Sequence, residues 1–383
     1  MKIIKNSPYI NEASIKMALI AYNKGDLTRA IQHYKHVFSN NPSAKEAESA
    51  LLGLQEIYIT DLGKSDEYVT YINSLPGYKV TESAADSLAF MVGAMRYNEG
   101  EYDKAIAGFS NYLDKYPNGF NKVHAIYYRA ESYALVKNYG SALDDYETLA
   151  AMGNSEFYIP SLRKSALISY NYTQAFDKAL KYYDLYYNNI TDVNEKYSAA
   201  LGALRSAFRT ADLASVEKYG KIVLQYPTAS TDDKAVAAYY LGKVYLRENK
   251  LQEALDAFTQ VEKLAENNQA AESRYLIAEI LYKQDKKVEA EAQCNKANEA
   301  NAAYPYWIAK SLLLLSNIYV ERNDLFNARA ALEVIIEHFP DNEELKKEAS
   351  EQLIIVEQLE KQNSRIKPGS KDSPMLELQN PEK

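Results

Sequence analysis

The 383-residue sequence is poor in the residues that staple, kink or sharply bend a chain: one cysteine, 11 prolines, 14 glycines, four histidines and one tryptophan. The lone Cys294 excludes an intrachain disulfide framework and cannot by itself build a thiolate metal site. So few turn-formers argue against an all-β fold, which needs many hairpins. The longest apolar run, residues 311–320, is well short of a membrane span of about 20 residues. The opening residues offer only Ile3-Ile4 as an apolar pair, too little for the hydrophobic region of a secretory signal. The expectation is a soluble, untargeted chain without membrane insertion, unless it has been cut from a longer one. Positive charge is in deficit as well, with 44 Lys and Arg against 52 Asp and Glu, and no basic stripe is present. A nucleic-acid backbone is therefore not the expected partner.

What is abundant favours helix: Ala, Leu, Glu and Lys. Hydrophobic residues make up 47% of the chain, and 34 tyrosines supply much of that share. The pattern acid, large apolar, two residues, Ala, three residues, aromatic recurs from end to end. Aligned on the small residue, its anchors are Ala30, Glu67, Ala105, Ala142, Ala179, Val216, Ala254, Ala290 and Ala328. These stand 36 to 38 residues apart. Large apolar residues precede most anchors by three (Leu27, Tyr102, Tyr139, Phe176, Leu213, Leu251, Leu325). Aromatics follow most by four (Tyr34, Tyr71, Phe109, Tyr146, Tyr183, Phe258). Offsets of three and four share one helix face, and the small residue lets a neighbouring helix approach closely. A second apolar-periodic segment precedes each such helix. The two are parted by turn-formers such as Gly25-Asp26, Gly100-Glu101, Asn249-Lys250 and Asn323-Asp324. Pro42, Pro117 and Pro340 close three units. The unit is helix–turn–helix, repeated nine times, and no single unit buries enough to stand alone.

In its order of Gly or Ala, Tyr, turn, Ala-x-x-x-aromatic and Pro, the unit resembles the tetratricopeptide repeat over roughly residues 11–340. The family unit is 34 residues, so the connecting loops here are expected to be longer. The resemblance implies an all-α fold, an α-solenoid wound as a right-handed superhelix. The expected organisation is an N-terminal extension (1–10), the repeat array (11–340), a C-terminal capping helix (341–363) and a disordered tail (364–383). In the capping helix Asp341 is the expected N-cap, and Leu345, Ala349, Ile355, Val356 and Leu359 form the apolar stripe. The repeat at 193–227, where Val216 and Gly220 replace the usual small and aromatic residues, is expected to pack loosely enough to flex.

No phosphate-cradling Gly-rich loop and no nucleophile elbow occurs. His33 and His36 read as surface histidines, and Cys294 as a small buried hydrophobe. No catalytic residue, metal or cofactor is assigned. The family resemblance instead implies that partners, peptides or protein segments, bind a concave groove lined by the first helices. With the anchor counted as position 20, positions 2, 5, 9, 12 and 13 select Tyr22, Asn23, Phe90, Tyr97, Asn98, Tyr127, Glu131, Tyr239, Lys243, Arg247, Tyr275, Glu279 and Tyr282. Tyrosine suits recognition because it offers a large apolar face and a hydroxyl at little entropic cost. Packing between repeats accounts for the same tyrosines equally simply. A clamp of the chaperone-binding kind is absent, since Lys164 at position 5 is followed by Ile168 at position 9. The endings Tyr116-Pro117, Tyr226-Pro227 and Phe339-Pro340 resemble those of bacterial cell-envelope repeat proteins, including periplasmic ones of Bacteroidetes. The expectation is a non-enzymatic interaction scaffold. Self-assembly, or service as the accessory region of a larger enzyme or sensor, are the alternatives.

Overall fold

Nineteen α-helices form the regular structure of residues 8–339 and 342–363, the part described by this computed structural model. The expected tail (364–383), residues 1–7 of the N-terminal extension, Pro340 and the proposed cap Asp341 lie outside the described residues. The chain divides into two compact units, residues 1–206 and 207–383. The first holds α1 (Ile10–Asn23), α2 (Leu27–Phe38), α3 (Ala44–Gln55), α4 (Ser65–Ser74), α5 (Glu82–Asn98), α6 (Tyr102–Lys115), α7 (Lys122–Leu135), α8 (Tyr139–Met152), α9 (Tyr158–Asn171) and α10 (Phe176–Asn189). α11 (Val193–Thr210) contributes to both. The second holds α12 (Leu213–Gln225), α13 (Thr231–Arg247), α14 (Leu251–Leu264), α15 (Asn268–Lys283), α16 (Lys287–Ala300), α17 (Pro305–Glu321), α18 (Leu325–His338) and α19 (Glu343–Asn363). The fold is an all-α helical repeat.

Each odd-numbered helix up to α17 joins the next through one kind of turn. Five residues before each anchor the backbone is left-handed: Gly25 (φ 74°), Gly63 (65°), Gly100 (76°), Lys137 (62°), Gln174 (52°), Ala211 (56°), Asn249 (58°), Asp285 (59°) and Asn323 (60°). Lys64 N after Gly63 reaches back six residues, to Tyr58 O at 2.6 Å. In seven of the nine the following amide reaches back five, as Asp26 N does to Ala21 O at 2.9 Å and Asp324 N to Tyr319 O at 2.8 Å. This is the Schellman arrangement, which satisfies carbonyls that the helix end would otherwise orphan. The rule corrects the second repeat. Its left-handed residue is Gly63 and α4 starts at Ser65, so the anchor is Tyr68, not Glu67. Glu67 is exposed, whereas Tyr68 and Ile72 are buried. A π-helical turn at Glu56–Asp61 accommodates the one-residue slip, because its wider coil buries Ile57, Tyr58 and Ile59 in succession.

Ala211 holds its left-handed geometry with a Cβ, a penalty of about 1–2 kcal/mol. Glycine removes that penalty but costs about 0.4–1 kcal/mol in unfolded-state entropy. Ala211→Gly is therefore expected to stabilise by about 0.5 kcal/mol, read as a higher urea midpoint at unchanged slope. A lower midpoint would show that the turn is not strained.

The anchors do what small residues allow. Ala30, Ala105, Ala142, Ala179, Ala254, Ala290 and Ala328 are completely buried, and Val216 nearly so. Twelve residues before six of these anchors, on the first helix of the pair, lies another buried small residue: Ala18, Gly93, Ala130, Gly242, Ala278 and Ser316. Aromatics from the second helix fill the space. A methyl added to Gly93 would stand 2.6 Å from the Phe109 ring, and one added to Gly242 would stand 2.6 Å from Phe258. The repeat around Val216 packs closely rather than loosely. Tyr219 and Val223 are buried, and Gly220 seats Leu241, whose Cγ would lie 2.8 Å from an added methyl. The missing aromatic on α12 is thus replaced by a leucine from α13.

α19 lies on α18 through Leu345, Ala349 and Val356, with Leu353 and Leu359 half-buried against Leu332, Ile335 and their neighbours. Ile355, expected in this stripe, is exposed. Asn342 caps the helix, its Oδ1 accepting the Leu345 amide at 3.1 Å.

Candidate partner-binding surface

In the first unit the site residues sit on α5 and α7, and they gather around one carboxylate. Glu131 accepts the Tyr146 hydroxyl from α8 and the Lys164 ammonium from α9, the latter at 2.8 and 3.0 Å to its two oxygens. Three helices are thereby joined. Tyr127 lies flat on Phe157, with centroids 4.1 Å apart, and Tyr97 packs on Tyr128 and Tyr102 at 5.1 and 5.8 Å. Burial, then the charge of Glu131, pushes the Tyr127 hydroxyl up to about 12. Burial, then its hydrogen bond to Glu131, raises Tyr146 further, so both phenols stay protonated donors. Asn98 is exposed at the end of α5. Tyr97 and Tyr127 keep half-buried rings while their surroundings hold them still.

The second unit repeats the chemistry. Glu272 accepts the Tyr239 hydroxyl at 2.6 Å and the Lys243 ammonium at 2.7 Å. Glu321 takes the Tyr282 hydroxyl, and Lys287 at 2.8 Å. That hydrogen bond, then burial, pushes Tyr282 up to about 12. Tyr275 packs against Trp307 at 5.7 Å, and Glu279 pairs with Lys283 at 3.2 Å on its own helix. Tyr239 is only 8% exposed, so its ring offers a partner little surface; here packing claims the tyrosine. Arg247 is exposed one turn further along α13.

Tyr22 and Phe90 also pack inward, Tyr22 beside Tyr34 and Phe90 on Phe109 and Tyr112 at 5.7 and 5.8 Å. Phe157, Tyr128, Tyr146, Lys164, Glu272 and Glu321 also belong to these clusters but were not among the expected groove residues, although Lys164, Glu272 and Glu321 stand at groove positions 5, 2 and 13 of their repeats. Phe157 lies in the connection before α9, where no periodicity marks it. Lys164 and Glu272 are charged first-helix residues whose partners lie 33 and 33 residues away from them, at Glu131 and Tyr239.

Two of the clefts among the described residues are lined by first-helix residues. One of about 740 Å³, on α1 and α2, is lined by residues including Tyr9, Met17, Ile20, Lys24 and His33. The other, of about 390 Å³, lies in the second unit among Phe208, Leu213, Val216, Lys243, Val244, Leu246 and Arg247. His36 shares its Nδ1 with Ser14 Oγ at 3.1 Å. Among the described residues no group of three or more His, Cys, Asp or Glu side chains is placed to hold a metal ion. Cys294 is buried, which pushes its thiol up to about 12. No described helix is long and apolar enough to cross a membrane.

A family model for the tetratricopeptide repeat matches residues 86–119 and 310–342. A comparison with curated proteins returned no match. Similar solved structures include the C-terminal part of a TPR repeat-containing protein from Cytophaga hutchinsonii, at 18% identity and a TM-score of 0.44, covering 68% of this chain and 98% of that one. A tetratricopeptide repeat protein from Parabacteroides merdae aligns at 18% identity and a TM-score of 0.26, over 71% and 97% of the two chains. The TPR2AB domain of yeast Sti1, in a structure of its complex with pHSP90, aligns at 17% identity and a TM-score of 0.31, over 71% and 98%. The matched segments fall one in each compact unit, on α5–α6 and on α17–α18. The chain is an all-α helical-repeat protein, two segments of which match the tetratricopeptide-repeat model.

Proposed function

We propose that the protein is a non-enzymatic scaffold that docks segments of partner proteins along the surface of its first helices. The observation that carries this reading is the paired state of the tyrosines there. Tyr239 and Tyr282 have their hydroxyls fixed on Glu272 and Glu321, Tyr146 of α8 holds Glu131, and the rings of Tyr97, Tyr127 and Tyr275 stay half-buried. Rigid aromatic faces lose little rotamer freedom on binding, so more of the contact energy survives as affinity. Tyr97, Asn98, Tyr127, Glu131, Lys243, Arg247, Tyr275, Glu279 and Tyr282 are the residues assigned to this surface. Tyr239 serves it by anchoring Glu272. A place in the cell envelope, which the aromatic-Pro endings imply, belongs to the same proposal and is tested by fractionating host cells.

Peptides selected on the immobilised chain are expected to slow amide exchange in α5, α7, α13 and α15 in solution. Protection confined to the second helices, α6, α8, α14 and α16, would place the docking surface elsewhere and end this assignment.

A further inference from the structure

The 390 Å³ cleft of the second unit has a chemistry of its own. Its floor is apolar: Phe208 from α11, Leu213 and Val216 from α12, and Val244 and Leu246 from α13. Its rim carries two cations, Lys243 and Arg247, four residues apart and so on one face of α13. The two differ. Lys243 is half-buried and already bonded to Glu272 at 2.7 Å, whereas Arg247 is exposed and no acid pairs with it among the described residues. The volume falls in the range of small-ligand and side-chain pockets, about 300–1,000 Å³.

We propose that this cleft docks a partner segment in which a large apolar side chain is flanked by Asp or Glu. The inference rests on the scaffold reading and adds the chemistry of the partner. The apolar side chain leaves water for the floor made by Phe208, Leu213 and Val216. A neighbouring carboxylate meets the Arg247 guanidinium, whose planar fork matches a carboxylate with two parallel hydrogen bonds. Lys243 is held by Glu272 beside the cleft in a nearly neutral ion pair, so the net positive charge of the rim is that of Arg247. A basic segment would bring like charge onto this rim, and a neutral apolar one would leave Arg247 unused. Charge complementarity therefore selects the acidic, apolar segment.

The test uses the full chain and fluorescein-labelled peptides, acetylated and amidated, built on the core Glu-Leu-Phe-Glu. Fluorescence anisotropy should show saturable binding that weakens with added salt. The Gln-Leu-Phe-Gln counterpart should bind about tenfold more weakly or worse, as expected for loss of a charged hydrogen bond. A Lys-Leu-Phe-Lys peptide should not bind. Arg247→Glu should reduce affinity for the acidic probe by a similar factor while circular dichroism shows unchanged helix content, since Arg247 is exposed. Absence of saturable binding by the acidic probe overturns the proposal. So does equal affinity for the Gln counterpart, indifference to Arg247→Glu, or dependence on a free C-terminal carboxylate in place of the flanking acids. If any of these occurs while selected peptides still protect the first helices, the cleft assignment falls and the scaffold reading stands. Failure of both experiments removes both.

Discussion

Replacing Gly108 with valine is expected to break the pairing of α5 with α6. A Cβ at Gly108 would stand 2.8 Å from the Cα of Gly93 and 3.0 Å from its nitrogen. Both are backbone atoms, so no side-chain rotation relieves the clash and α5 itself must move. Two effects oppose each other even in Gly108→Ala. Alanine gains about 1 kcal/mol of helix propensity, while forcing extra atoms into a packed seam costs about 1–3 kcal/mol. The clash with backbone lies at the upper end of that range, so Gly108→Ala should lose about 1–2 kcal/mol net. Gly108→Val adds two more methyl groups and should lose about 3 kcal/mol or more. Gly140→Ala is the control. That glycine also lies in a helix, α8, with nothing within 4 Å of the added Cβ, so only the propensity gain remains. Repeat arrays need not unfold in one step, so the loss is best read locally, as faster amide exchange in α5 and α6. Gly108→Ala at parental stability would mean that the two backbones do not approach this closely in solution.

Arg274→Met is the second large effect. The side chain is 3% exposed on α15 and serves three acceptors: Glu266 at 2.6 Å, Asn301 Oδ1 at 3.0 Å and Glu262 at 3.7 Å. Breaking a buried ion pair costs about 3–5 kcal/mol when it strands the other charge. Here the partners differ in what they lose. Glu266 is largely exposed and returns to water, and Glu262 keeps Lys296 at 2.8 Å. Asn301, completely buried at the end of α16, keeps its bond to Ala271 O but loses the donor to its Oδ1. The expected loss is therefore below the full range, about 2–3 kcal/mol, measured by denaturant unfolding. Arg274→Lys should recover little of it, because one ammonium cannot span acceptors set around a planar fork. Glu266→Gln should be nearly silent. A large loss in Glu266→Gln and a small one in Arg274→Met would reverse the account.

The repeat was legible because its determinants are local. A small residue at the anchor, an aromatic one turn later and a left-handed residue five positions earlier all lie within about ten residues, and each answers a steric need that recurs in every copy. Where one determinant was weak the register slipped. In the second repeat the 37-residue spacing from Ala30 and the aromatic Tyr71 point to Glu67, and nothing in composition announces the π-helical turn at Glu56–Asp61 that moves the anchor to Tyr68. Lys137, Gln174 and Ala211 occupy left-handed turn positions although none is a typical turn residue. Schellman bonds from Asn138 N to Tyr133 O and from Asp212 N to Ala207 O hold the first and last of them there. Ile355 and Gly220 depart from the expected pattern for a related reason. Helical spacing indicates which residues share a face, but a neighbour from another helix decides whether that face is covered.

The candidate surface divides along the same line. Periodicity alone placed Tyr97, Tyr127, Tyr239, Tyr275 and Tyr282 on first helices, for face membership follows from 3.6 residues per turn. It could not tell Tyr239, nearly enclosed, from the half-buried Tyr127, nor foresee Glu131, Glu272 and Glu321 as shared acceptors. Those distinctions depend on partners 15, 33 and 39 residues away. Spacing in the chain carries the order and pitch of the helices because steric rules act over a turn or two. Which phenol is spent on packing and which cation is left for a partner is settled only when helices meet, since a hydrogen bond depends on positions to within a few tenths of an ångström that no local pattern encodes.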